Sequence, residues 1–216
     1  MKILVSGFEP IWGIKKTPSG ELAKLWQSGD MPVSHGAEVK SVILPQQFGL
    51  CTEIICNEIA AFQPNGIIMF GSTPKNDPIR LERFAINCER SPMGDNTRIP
   101  VKDRPVVPGG PSAYESTLPV YHLVDRLKAH GIEAKASYHA GTHVCNSILY
   151  GVMHWLTTTQ QKQRVSTGFV HVAFPNEFGV VEDELWDTAS WPHLVQSSVV
   201  LLNELVAWLG SQKDTL

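Results

Sequence analysis

Short β-rich apolar runs alternate with helix-spaced apolar stripes along the whole sequence, and this alternation limits the folds open to the chain more than any other feature. The run KILVS at 2–6 stops at Gly7, VIL at 42–44 stops at Pro45, and GIIMF at 66–70 sits between Asn65 and Gly71. Residues 79–86 mix apolar and charged side chains in a pattern that favours strand over helix. GFVHVAF at 168–174 alternates around His171. Between these runs the apolar period changes to that of a helix. Leu118, Tyr121, Leu123, Val124 and Leu127 form one stripe, with Pro119 near its start and Gly131 past its end. Val144, Ile148, Val152 and Trp155 form a second. Leu194, Ser198, Leu201, Leu202, Leu205 and Leu209 form a third, which Pro192 is expected to open and Gly210 to close.

Strand and helix in alternation predict an α/β fold, a three-layer α/β/α sandwich whose twisted central sheet is mostly parallel and covered on both faces. The breaker-rich stretch PVVPGGPS at 105–112 reads as a loop within a domain, and no repeat or low-complexity linker divides the sequence, so residues 1–216 are expected to form a single domain. Lysine and arginine total 18 against 21 acids, a formal charge of −3 with no basic block, which argues against a nucleic-acid partner. The apolar run after Met1 is too short for an export signal. No stretch reads as the roughly 20 apolar residues of a membrane span. The four cysteines, at 51, 56, 88 and 145, are therefore expected as free thiols in a cytoplasmic protein.

Among those thiols, Cys145 has the most reactive setting. It follows AGTHV, a helix start with a cap expected at Thr142 or His143, so free amide N–H groups and the helix dipole would favour a thiolate and a developing oxyanion. The competing account is a small buried apolar residue, the commoner fate of a free cysteine. His171 lies between Val170 and Val172 and must point to the opposite sheet face from both, toward a core or a cleft. Glu82 also sits in a strand pattern, where burial requires a partner: an ion pair with Arg80 or Arg83, or an imidazole that it orients. His139 and His143, four apart, raise a metal site, but Gly141 separates them and no third ligand accompanies the pair.

Five segments in register resemble the pyroglutamyl peptidases: GFEP at 7–10, ERFAIN at 82–87, PGGPSAYESTLP at 108–119, AGTHVCN at 140–146 and GFVHVAF at 168–174. That resemblance implies a cysteine exopeptidase removing N-terminal 5-oxoproline from peptides through a thioester. Its catalytic residues would be Glu82, Cys145 and His171, with no metal and no cofactor. It places substrate-binding residues at Phe8, Ile11, Met93, His143 and Val144. Its expected partner is a peptide with a blocked N-terminus, with no nucleic acid or membrane, and the protein would be a cytosolic homo-oligomer, a dimer or a tetramer. The chain departs from the family pattern at Ile11, Ser72, 75–76 (Lys75, Asn76), Pro92 and His143. A family arginine is absent from its place at Pro92, and Arg90 lies two residues earlier. Because these departures fall where the lactam or oxyanion would be held, two other readings stay open: a related cysteine hydrolase with a different acyl group, and a binding protein that retains the fold.

Overall fold

The computed structural model describes residues 1–73, 77–161, 164–174 and 190–213. A six-stranded sheet forms its centre, in the order β2-β1-β3-β10-β4-β9. The strands are β1 (Lys2–Phe8), β2 (Glu38–Leu44), β3 (Gly66–Thr73), β4 (Ile79–Glu82), β9 (Ala134–Ser137) and β10 (Ser166–Ala173). Neighbours run parallel except at the β10–β4 junction, where the direction reverses. The sheet is thus mostly parallel, as the alternation predicts. Two small antiparallel pairs lie beside it. One joins β5 (Phe84–Ile86) to β8 (Ala113–Glu115), and the other joins β6 (Glu89–Ser91) to β7 (Val101–Arg104).

Strand parity sorts the core into two layers. Ile3 and Val5 of β1, Ile68 and Phe70 of β3, Leu81 of β4, and Val170 and Val172 of β10 face one side. There they meet Leu22 and Trp26 of α1 (Pro18–Ser28), Leu123 and Leu127 of α3 (Val120–Ala129), and Leu202 and Leu205 of α5 (Ser190–Lys213). The opposite parity, Leu4, Ile67, Met69 and Phe169, packs on Ile55 and Ile59 of α2 (Leu50–Phe62) and on Ile148 and Val152 of α4 (Val144–Thr158). Burial on both faces is why these strands read as unbroken apolar runs.

Three expectations change in detail. Residues 79–86 are two strands: the chain leaves the sheet at Arg83, whose N–H donates to the Ser137 carbonyl while its own carbonyl accepts from the Ser116 N–H. Gly210 lies inside α5, which continues to Lys213, so it does not close the helix. A window of α5, Trp191–Gln212, is apolar and long enough to cross a membrane by composition alone, although no such stretch was expected. In the fold, half of that window is buried, as suits a helix packed on a sheet. Helix α1 was not anticipated, yet its signals are local: the Thr17 Oγ1 accepts from the Gly20 N–H, Pro18 takes the first helical position, and Gly29 at the end has φ 81°.

Candidate active site

His171 and Glu82 meet because β10 and β4 pair antiparallel. The register sets His171 opposite Arg80 and Phe169 opposite Glu82, so all four side chains share the α2/α4 face. The His171 Nδ1 donates to Glu82 Oε1 at 2.7 Å, and the carboxylate is fully buried. Arg80 Nε lies 3.5 Å from the same oxygen, so the ion pair and the imidazole contact weighed from sequence exist together, whereas Arg83 pairs instead with Glu115. On the other side of His171, Gly71 of β3 leaves room for its ring. A Cβ there would lie 2.5 Å from the Phe169 ring and 3.1 Å from His171 Cδ2. Phe169 in turn packs tilted against the imidazole, with centroids 4.8 Å apart.

Cys145 is the second residue of α4, and its side chain acts on His171 within the cleft that both residues line. Since Nδ1 serves Glu82, Nε2 is the ring atom left for the thiol. Burial alone would lower the histidine's proton affinity. The negative charge of Cys145 and its hydrogen bond, then those of Glu82, overcome this and push His171 up from 6.5 to about 9. Cys51, also buried, is pushed up to about 12, chiefly by desolvation, and is not activated by its surroundings.

The helix start is uncapped by any side chain. His143 holds the cap position in extended backbone, and its carbonyl accepts from the Asn146 and Ser147 N–H groups. Among the described residues nothing accepts from the Val144 or Cys145 N–H, which leaves two first-turn donors beside the sulfur. Fully buried Asn146 fixes this turn against the neighbouring chain: its Nδ2 donates to the Ile86 and Cys88 carbonyls at 2.9 Å, and its Oδ1 accepts from the Ile86 N–H. Sequence reasoning gave Asn146 no role. Its only signal was its place directly after Cys145.

Cys145 and His171 border a cleft of about 400 Å³ at the carboxyl ends of β1, β3 and β10, where open α/β sheets hold ligands. Phe8, Ile11 and His143 line it with Cys145 and His171. Met93 does not; it is 64% exposed. The Val144 side chain is buried in the α2/α4 layer, so only its backbone can face the cleft. Ser72 lines the cleft, and Asn76 lies outside the described residues. The Arg90 side chain turns away to Asp103, at 3.1 Å. Its backbone bonds to Thr142 and steadies the loop before α4. His139 and His143 both border the cleft but are engaged separately. His139 Nδ1 accepts from the Gly141 N–H, and His143 Nε2 donates to the Gly94 carbonyl.

Sequence reasoning missed Trp12 and Arg80 as cleft residues. Trp12 adopts φ 54°, the left-handed region that a non-glycine residue enters at a cost. Its indole N–H donates to the Asp95 carbonyl at 3.1 Å, and its ring meets His143 edge-on at 6.0 Å.

Comparison with known proteins places the chain among known enzymes. Residues 1–194 match the profile of the pyroglutamyl peptidase family. The pyrrolidone-carboxylate peptidase of Pectobacterium carotovorum is 38% identical over 175 residues, 81% of this chain and 79% of that protein. That of Yersinia pestis is 31% identical over 98% of this chain and 93% of its own. The crystal structure of pyrrolidone carboxyl peptidase from Pyrococcus furiosus superposes with a TM-score of 0.84 at 30% identity, covering 97% of this chain and 100% of that one. The fold and these relatives define the class as a hydrolase, specifically a cysteine peptidase. Within that class, the chain belongs to the pyroglutamyl peptidase family.

Proposed function

We propose that this protein, one catalytic domain over residues 1–216, removes an N-terminal 5-oxoproline residue from peptides, with Cys145 as nucleophile, His171 as acid and base, and Glu82 as the group that orients His171. The observation that carries this reading is the line from buried Glu82 through buried His171 to Cys145 at a helix start inside the cleft. With His171 pushed up to about 9, the imidazole holds its proton at neutral pH, which matches a sulfur that attacks as thiolate.

The Cys145 sulfur adds to the pyroglutamyl carbonyl carbon, and the resulting oxyanion takes hydrogen bonds from the uncapped Val144 and Cys145 N–H groups. The C–N bond breaks as His171 gives its proton to the leaving amine. A thioester remains, and the ring is now neutral. His171 next takes a proton from water, whose oxygen attacks the thioester. The C–S bond breaks, releasing 5-oxoproline and restoring the thiolate–imidazolium pair. The flat lactam suits the apolar end of the cleft, between Phe8, Ile11, Trp12 and His143. Met93 and the Val144 side chain have no part in that wall.

Release of arylamine from pyroglutamyl-, prolyl- and N-acetylalanyl-arylamides tests the acyl group. This reading expects turnover of the pyroglutamyl compound alone. Equal turnover of N-acetylalanyl-arylamide would instead support a cysteine hydrolase of different acyl specificity.

A further inference from the structure

The cleft has two chemically different ends, and the sheet order says which faces the leaving group. Phe8, Ile11 and Trp12 follow from β1, which is separated from β10 by β3. That is two strand spacings, or about 10 Å. Arg80 and Ser137 come from β4 and β9 on the other side of β10. His171, which must protonate the departing amine, stands between the two ends, and Arg80 is its register partner.

Arg80 is the only Lys, Arg, Asp or Glu among the described residues lining the cleft. Its side chain is 28% exposed, and its two acidic neighbours are shared. Nη1 pairs with Asp77 at 3.0 Å, but Asp77 also takes Lys135 at 3.2 Å. Nε lies 3.5 Å from Glu82 Oε1, which His171 already occupies at 2.7 Å. Nε is buried with no hydrogen-bond partner among the described residues. Each acid is shared with a second cation, so neither saturates Arg80. A planar fork of this kind is suited to a carboxylate.

We propose that Arg80 forms a subsite for the carboxylate of the residue released from 5-oxoproline, so that the preferred substrates are pyroglutamyl dipeptides with a free C-terminus. The inference rests on the function proposed above. In such a dipeptide the carboxylate is attached to the same carbon as the amine that His171 protonates, which places it beside that ring's strand neighbour. An acidic side chain on the leaving residue carries the same chemistry one or two carbons further out.

The test compares kcat/KM for pyroglutamyl-alanine, pyroglutamyl-alaninamide and pyroglutamyl-glutamamide in the wild type, Arg80→Gln and Arg80→Lys. The wild type is expected to prefer free alanine over its amide by about tenfold, the size of one hydrogen bond to a charged group. The ratio should fall to near one in R80Q and be partly kept in R80K. Because the ratio is taken within each variant, loss through the Glu82 contact cancels. Preference for the glutamamide instead would assign the subsite to a side-chain carboxylate and overturn the dipeptide preference. A ratio near one in the wild type, or one unchanged in R80Q, would overturn the subsite itself. If no pyroglutamyl compound is turned over, the proposed function has failed first.

Discussion

Replacing Glu82 with glutamine removes one buried charge while keeping nearly the same shape. The carboxylate oxygen lies 2.7 Å from His171 Nδ1 and is fully buried, so water cannot compensate for its loss. A charge-assisted hydrogen bond of this kind contributes about 1.5–3 kcal/mol, against roughly half that for a neutral one. The difference lowers the proton affinity of His171 by about one unit. The wild-type imidazolium persists to about 9, and it is the protonated ring that serves the leaving amine. Activity therefore holds below that pH and falls as pH rises through it. In Glu82→Gln the alkaline limb of kcat/KM should move down by about one unit, which changes activity little at neutral pH and lowers it by about tenfold once the pH exceeds the wild-type limb near 9. If the amide instead turns its NH2 toward Nδ1, the ring keeps its proton on Nε2 and the loss grows to as much as about 10⁴, as in the chymotrypsin-type triad. The assay is the pH profile of arylamine release. A limb that stays in place, with activity within about threefold of wild type, would refute the assigned role of Glu82.

Other substitutions probe how the site is held. Asn146→Ala strands the Ile86 N–H and two carbonyls in a buried turn and should destabilise the fold by about 3 kcal/mol in chemical denaturation. Gly71→Ala puts a methyl against Phe169 and His171. It should lower kcat by at least about tenfold through a displaced imidazole, with the secondary structure by circular dichroism unchanged. Trp12→Gly removes an aromatic wall and relieves a left-handed residue, so KM for the pyroglutamyl arylamide should rise about two- to tenfold while the melting temperature holds or increases. Met93→Ala should leave both KM and stability unchanged, because that side chain is exposed and does not line the cleft.

The features legible in the sequence were those with a local cause. Parity placed His171 opposite its valine neighbours. A helix start placed Cys145 beside free N–H groups, and apolar runs bounded by glycine and proline marked the buried strands. What stayed hidden depends on pairing. Arg80 reads from sequence only as an ion-pair partner for Glu82, and the antiparallel β10–β4 register is what brings it to the cleft beside His171. Residues 79–86 read as one strand because their pattern continues through Arg83. The break comes from hydrogen bonds to Ser137 and Ser116, both distant in sequence. Trp12 carried no signal either, since its left-handed backbone is held by contacts with residues 95 and 96. Gly210 has the local signature of a helix stop, but helix α5 packed on the sheet tolerates it, and a Cβ there would meet only the end of the Met1 side chain.

The account rests on Cys145 as the nucleophile, and arylamine release by Cys145→Ala, at the same high enzyme concentration as wild type, tests it most directly. With no sulfur to form the thioester, the variant is predicted to release pyroglutamyl arylamine at less than about 10⁻³ of the wild-type rate. Its thermal unfolding should match that of wild type. A folded Cys145→Ala protein that keeps a tenth or more of the activity would contradict the assignment.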